Sequence, residues 1–353
     1  MAACAEVGMV NQGENAMVSF KVKAQELHNE AVVMDTHSHF LINGHYLRKD
    51  FGKQHTPPRF YNPLRNYLDL PRLRSGGVSC STFAVYVPPW PLRLSAWKAC
   101  LRILDTFDRL VQRHAEHVVK VETADEIRAA HRLGKLGAAL SVEGGHVIGW
   151  QLDRLALLRE RGVRMLTLTH FVTNLLCDAY LGPRIHGGLS QLGRRAIAEC
   201  QRVGIAVDLA HATEAAFFQA LDLLQRPPMV THTAPRLGRA SDRYLSDEQL
   251  KALAALDGVV GVIFFPWYLE PWGVRGSMDR IVDVYARLAD LIGTRHLMIG
   301  TDMDGYVWLP RGLRDVADLP RLTEQLLKRG FSDEDVIGIL GQNALRVLTA
   351  WEG

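Results

Sequence analysis

Several short apolar stretches of this chain end in residues that bind metal ions or move protons. The first ends Asp35-Thr36-His37-Ser38-His39, and later ones end at Glu143, His170, His211, His232 and Asp302. In an extended strand, residues two apart share a face. His37 and His39 therefore point the same way and can ligate one transition metal ion. Four histidines with a bridging carboxylate suit two divalent ions, and the nitrogen-rich donor set favours zinc. Two close ions polarise a carbonyl and hold a hydroxide for attack near neutral pH. Asp302 is placed to take the proton of the water and deliver it to a leaving amine. His170 is an additional donor for the tetrahedral oxyanion. The chemistry this implies is metal-assisted hydrolysis of an amide or related bond.

The elements that must position these groups are legible as an alternation. Eight apolar runs begin at Ala31, Gly77, Leu136, Val163, Gly204, Pro228, Gly258 and His296, and most are continuously apolar, as strands buried on both faces should be. Between them lie stretches with helical spacing, several opening on a capping residue such as Thr123, Thr213 or Ser246. After the last run, Leu319 to Arg329, Asp333 to Leu340 and Asn343 to Ala350 read as closing helices. The pattern predicts an α/β fold, a (β/α)8 TIM barrel with extra C-terminal helices, whose active site lies at the C-terminal ends of the strands. The long connection from about His39 to Gly76 shows no periodicity and reads as a functional loop or cap over the mouth. Residues 1–18 read as a flexible tail, and 19–353 as a single domain.

Of the remaining histidines, His146 and His186 sit beside glycines near strand ends and are candidates for supporting donors. His28, His45, His55, His114, His117 and His131 read as solvated or structural. The 353 residues carry 41 Lys and Arg against 38 Asp and Glu, with no basic stripe that would track a phosphate backbone, so nucleic acid is not an expected partner. Five scattered cysteines without C-x-x-C spacing fit a reducing compartment. The first residues lack the pattern of a secretory signal, and the longest apolar runs are too short to span a bilayer. A cytoplasmic protein without membrane attachment, with a homodimer as an open possibility, is the expectation.

The segments VVMDTHSH, SVEGGHVIG, RMLTLTH, HGGLSQLGRRAI, VDLAH, VTHT, DRYLSDEQL and IGTDMDG together resemble the membrane (renal) dipeptidases, metallopeptidase family M19 of the amidohydrolase superfamily. The resemblance runs in order from about Ala31 to Val347. It implies the metal-dependent hydrolase type of barrel and two zinc ions per chain. His37 is implied as a ligand of the first ion, Glu143 as the carboxylate bridging both, and His211 with His232 as ligands of the second. It further implies that His170 contacts substrate and tetrahedral intermediate, that Asp302 shuttles the proton, and that Arg243 holds the substrate's terminal carboxylate. A guanidinium fork suits that last role.

The chain departs from the family's pattern at His39, where an Asp is usual. Neutral imidazole in place of carboxylate raises the charge of the site by about one unit, although an H-x-H pair still binds metal in other amidohydrolases. The family's Arg-Asn is Arg243-Tyr244 here. After the seventh run, Ile263-Phe264 followed by Phe265-Pro266-Trp267 predicts a bulkier, more apolar pocket wall, and Tyr61, Tyr67, Trp90 and Trp97 are further candidates to shape it. The reading that follows is a zinc-dependent dipeptidase acting on small dipeptides or a dipeptide-like metabolite. It uses Asp302, His170 and Glu143 catalytically, His170 and Arg243 on the substrate, and His37, His39, Glu143, His211 and His232 on the metal. Another amidohydrolase-fold chemistry, such as decarboxylation or biosynthetic tailoring, and a non-catalytic metal binder are the alternatives.

Overall fold

Strands rich in Val, Ile, Ala and Thr cannot leave either face in water, and here every one of the eight long apolar runs becomes a strand of one closed parallel barrel. The computed structural model describes residues 19–56, 66–89, 95–270 and 276–352. The expected tail, residues 1–18, lies outside the described residues, as do Tyr61 and Trp90. The strands are β1 (Met34–Ser38), β2 (Cys80–Tyr86), β3 (Val118–Lys120), β4 (Leu136–Glu143), β5 (Val163–Thr167), β6 (Ala206–Asp208), β7 (Met229–Thr233), β8 (Val259–Val262) and β9 (Leu297–Ile299). β2 pairs with β4 over its whole length, from Cys80 opposite Gly137 to Tyr86 opposite Glu143, and β1 pairs with β9 to close the ring. β3 is the addition that the apolar pattern did not reveal. It is three residues long, mostly half-buried, and pairs only with the first residues of β4, too short to carry a periodicity.

The helices between the strands form where the caps predict. The Thr123 hydroxyl accepts from the backbone of Glu126 while the Glu126 carboxylate accepts from the backbone of Thr123, and Ser246 with Gln249 does the same. Each box satisfies amide groups that the first turn leaves without partners. The helix Gln191–Val203 stops at Gly204, whose φ of 75° lies in the left-handed region. The closing helices occupy Leu319–Lys328, Asp333–Ile337 and Asn343–Ala350.

In its described residues, the connection after β1 is not the structureless cap its sequence suggests. It contains a helical turn at Ile42–Tyr46 and a helix at Leu70–Ser75, whose N-cap Asp69 accepts from the backbone of Arg72 at 3.0 Å. Phe40, Leu41, Phe51, Tyr67 and Leu68 in it are buried core residues. Single apolar side chains anchoring irregular backbone leave no repeat for a periodicity to detect. Among the described residues no helix is long and apolar enough to cross a membrane. Cys80, Cys100, Cys177 and Cys200 are buried free thiols.

A helix over residues 19–30, not anticipated from the sequence, lies against the closing helices through His28. His28 is 2% exposed, and its Nε2 lies 2.5 Å from Thr323 Oγ1. Burial lowers its pKa to about 4, with a backbone contact to Gly76 opposing the shift in part. The unfolded chain therefore takes up this proton below about pH 6.5 while the fold still resists it, and stability falls as pH drops from about 6.5 to about 4. The His28→Gln variant should lose about 1–3 kcal/mol of that pH dependence. Thermal melts of both proteins at pH 7 and pH 4.5 check this, and equal drops in Tm would remove His28 as the cause.

Candidate metal centre

Barrel closure carries the sequence-predicted residues to one mouth. His37 lies within β1 and His39 just past it, Glu143 ends β4, and His232 lies within β7. His170, His211 and Asp302 each follow a strand end by three residues. All seven side chains are buried. His211 and Asp302 adopt φ of 65° and 57°, a left-handed geometry that non-glycine residues enter at a cost and that recurs at functional sites. Asp302 is held there by its backbone N–H, which donates to the His37 carbonyl at 3.0 Å.

Glu143 is the hub. Its Oε1 lies 3.4 Å from His37 Nε2, 3.2 Å from His211 Nε2 and 3.6 Å from His232 Nε2. Its Oε2 lies 3.5 Å from His39 Nε2 and 3.6 Å from His170 Nε2. Among the described residues, no backbone, hydroxyl or amide donor reaches either oxygen, although Glu143 is 1% exposed. The imidazoles fall into two pairs, with Nε2 atoms of His37 and His39 3.0 Å apart and those of His211 and His232 2.8 Å apart. Asp302 joins the first pair, its Oδ1 3.2 Å from His39 Nε2. The groups His37, His39, Asp302 and Glu143, His211, His232 each bring three donor atoms within 4.8 Å of one another. Imidazole nitrogens converging on a carboxylate without other donors fit divalent cations in type and spacing.

Protonation follows from burial and charge. Burial opposes ionisation of Glu143, but His170, His39 and His37 around it hold its pKa well below the usual carboxylate range. Burial pushes His232 and His211 well below the ordinary imidazole range, with Arg243 acting in the same direction on both, and lowers His170 to about 4. All three are therefore neutral, each carrying one N–H and one lone pair. His37 differs: burial lowers its pKa, but Glu143, then Asp302 and Asp208, outweigh it and raise the value to about 9.

Behind the imidazoles stands a layer the sequence reading missed. Asp208, at the end of β6, also lies within reach of His37 and His232, but its oxygens are engaged. Oδ2 accepts from the hydroxyls of Thr167 and Thr231, each at 2.6 Å, and Oδ1 accepts from the backbone of Thr231 at 2.9 Å and of Ala210 at 3.1 Å. With its proton given to Asp208, the Thr231 hydroxyl can only accept from His232 Nδ1, 2.9 Å away. That fixes the tautomer that leaves Nε2 unprotonated toward Glu143. Asp35 braces the backbone behind β1 instead, accepting from the Thr301 hydroxyl at 2.6 Å and from the backbones of Thr301 and His37 at 3.0 and 3.3 Å. The only sequence signal was an acid two or three residues before a strand-end histidine. Gly261 and Gly300 complete the layer, since a Cβ at either would stand 2.0 or 1.8 Å from the Thr231 carbonyl oxygen.

The centre opens into a cavity walled by Tyr86, Phe171, Arg243, Phe265, Tyr268 and Tyr306. Arg243 is buried, donates from Nη1 to the His232 carbonyl at 3.1 Å, and lies 4.9 Å from the centre of the Tyr268 ring. Its Nε has no partner. The expected apolar wall is thus supplied by Phe265, while Ile263 and Phe264 are fully buried behind it. Tyr67 and Trp97 pack elsewhere, Trp97 beneath Arg154 at 4.9 Å. His146 and His186 donate to the carbonyls of Val87 and Asn174 at 3.0 and 2.9 Å and brace loops. Replacing Asp208 by Asn should weaken metal binding by about 10–100-fold, whereas Thr231→Ser, which keeps the hydroxyl relay, should retain most of it. Competition against a chromophoric chelator measures both, and unchanged affinity in Asp208→Asn would refute the relay.

Known proteins resemble this chain in sequence and in fold. The chain is 31% identical over 299 residues to the dipeptidase aclJ of Aspergillus oryzae (strain ATCC 42149 / RIB 40), covering 82% of this chain and 71% of that protein. The crystal structure of the probable dipeptidase PvdM from Pseudomonas aeruginosa superposes with a TM-score of 0.86 at 21% identity, over 95% of this chain and 98% of that one, and shows the shared fold. The structure of dipeptidase AC, a metallopeptidase of family M19, gives a TM-score of 0.81 at 26% identity, over 92% and 99% of the two chains. Residues 21–353 match the family model described as membrane dipeptidase, peptidase family M19, and the chain belongs to that family of metal-dependent hydrolases.

Proposed function

We propose that this chain is a dipeptidase that works with two divalent ions, zinc the first candidate, on small dipeptides or a dipeptide-like metabolite bearing a free carboxylate, with residues 19–353 acting as one metallohydrolase domain. The observation that carries this reading is Glu143, a buried carboxylate met only by imidazole nitrogens at 3.2 to 3.6 Å. In the proposal His37 and His39 hold one ion, His211 and His232 the other, and Glu143 both. Bound ions supply Lewis-acid polarisation of the scissile carbonyl and lower the pKa of a water to near neutrality.

The protein's own groups do the rest. Asp302 Oδ1, at the cavity edge beside His39, takes a proton from the attacking water and gives it to the leaving amine. His170, kept neutral by burial, presents an N–H to the oxyanion, and burial strengthens that bond. Arg243, with an unpartnered Nε–H and a ring beneath it, grips the terminal carboxylate and sets the scissile bond in register. The aromatic walls exclude water from the reacting atoms.

Elemental analysis of protein purified without chelator or metal-binding tag, with dipeptide hydrolysis measured on the same sample, tests the reading. Close to two ions per chain and cleavage abolished by chelator are expected. One ion or none, with no cleavage after zinc is restored, would favour a non-hydrolytic role. Arg243→Lys should raise KM for dipeptides by about tenfold or more with a smaller change in kcat, because ammonium cannot reproduce the planar two-point grip. An amidated dipeptide, lacking the carboxylate, should show no such difference, and a KM unaltered by the substitution would remove Arg243 from the substrate site.

A further inference from the structure

Arg243 and Tyr268, which wall the cavity above the metal centre, also wall a second, outer groove that reaches Leu181, Arg239, Tyr244 and Trp267. The partition between the two spaces is thin: Arg243 lies over the Tyr268 ring, and the Tyr268 hydroxyl meets that of Tyr180, whose own ring is 5.7 Å from that of His211.

The groove is lined by aromatic rings and two guanidinium groups, with Leu181 beside them. Leu181 is 68% exposed and Trp267 45% exposed. Large apolar side chains gathered at the rim of a polar centre mark a binding surface. These side chains are tied together: the Arg239 guanidinium lies 5.3 Å from the Trp267 ring and donates to the Tyr244 hydroxyl at 3.0 Å and the Trp267 carbonyl at 2.9 Å. A guanidinium and an indole that already face each other offer a stacking platform whose side-chain entropy is spent before any ligand arrives.

We infer that the outer groove is a substrate subsite for a planar aromatic side chain on the leaving-group residue. The assignment rests on the dipeptidase reading, because Arg243 as the carboxylate grip puts the leaving residue next to the partition. A side chain on that residue's α-carbon then passes Tyr268 into the groove, while the carboxylate stays on Arg243. The substrate class is a dipeptide, or dipeptide-like metabolite, with a small acyl residue held in the inner cavity and a bulky aromatic residue leaving.

The metal-loaded enzyme is assayed with Ala-Ala, Ala-Trp and Trp-Ala. Ala-Trp should have a kcat/KM about tenfold or more above Ala-Ala, as burial of an aromatic side chain allows, and Trp-Ala should not. Trp267→Ala and Leu181→Ser, both outside the inner cavity, should each erase most of the Ala-Trp advantage and leave Ala-Ala within about twofold. Cleavage of Ala-Ala without preference for Ala-Trp, or equal losses on both substrates in the variants, would overturn the groove and leave the dipeptidase reading standing. If no dipeptide is cleaved, that reading fails, and calorimetric binding of Ala-Trp decides the groove alone. Binding weakened about tenfold by Trp267→Ala supports it, and binding unaltered by the substitution overturns it.

Discussion

A carboxylate buried without a backbone or hydroxyl donor is among the most costly things a fold can contain, and Glu143 is one. Removed from water, its charge must be offset by groups that cannot move away. The barrel supplies them by geometry: β4 ends at the carboxylate, and the ends of β1, β5, β6 and β7 each bring an imidazole to within 3.6 Å. No pair of neighbouring strands could do this. Only a closed ring turns residues as far apart in sequence as His37 and His232 into neighbours with rings 4.0 Å apart and nearly parallel. Closure of the β-sheet, between β1 and β9, is therefore as much a condition for the site as the ligands are.

A cation can be held between imidazoles and that carboxylate only when the imidazole lone pairs face it, so the second requirement is control of tautomer and rotation. Asp208 meets it from below at His232 through Thr231, while Asp35 accepts from Thr301 and from the His37 backbone and braces the end of β1. Each has its acceptor capacity filled by hydroxyl and backbone donors, and each stays near the imidazoles without competing for the space between them. The close approach of β8 and β9 to the Thr231 carbonyl, possible only at Gly261 and Gly300, locks the relay in depth. Against this background His39 occupies the first pair beside His37. Its Nε2 still reaches Glu143 and Asp302, at 3.5 and 3.2 Å, but it brings no negative charge, and Asp302 becomes the carboxylate on that side.

How much of this was legible depends on whether the responsible signal is periodic. The eight barrel strands were, because strands buried on both faces must be apolar throughout. The polar residues ending them stood out for the same reason, and His37, His39, Glu143, His170, His211, His232 and Asp302 do meet. β3 and the helical turn at Ile42–Tyr46 were not legible, being shorter than any repeat. Nor were the roles of Asp208, Thr167 and Thr231, since a threonine inside a strand carries the same local pattern whether its hydroxyl faces a lipid-like core or an aspartate. The groove beyond Tyr268 depends on three separate loops, and no local segment encodes their meeting.

That division between strand ends and loops has a consequence for how the site can vary. The imidazoles and Glu143 sit on or within three residues of strands whose pairing is cooperative, so a shift of any one disturbs its neighbours. Arg243, Tyr180, Leu181 and Trp267 sit on longer connections fixed by their own devices. The loop after β5 is organised around Asp178, whose carboxylate accepts from the backbones of Ile185, His186 and Gly188 at 2.9 to 3.2 Å, and it is tied to the loop after β7 by Arg184 and Asp242 at 2.7 Å. Burial raises the cost of ionising Asp178, but those three amides more than offset it and hold its pKa below the usual range, so the knot persists through the neutral range. Loops anchored in this way can exchange the side chains that face the substrate while the knot and the barrel keep their shape. The chemistry of the centre is thereby separated from the choice of what is brought to it.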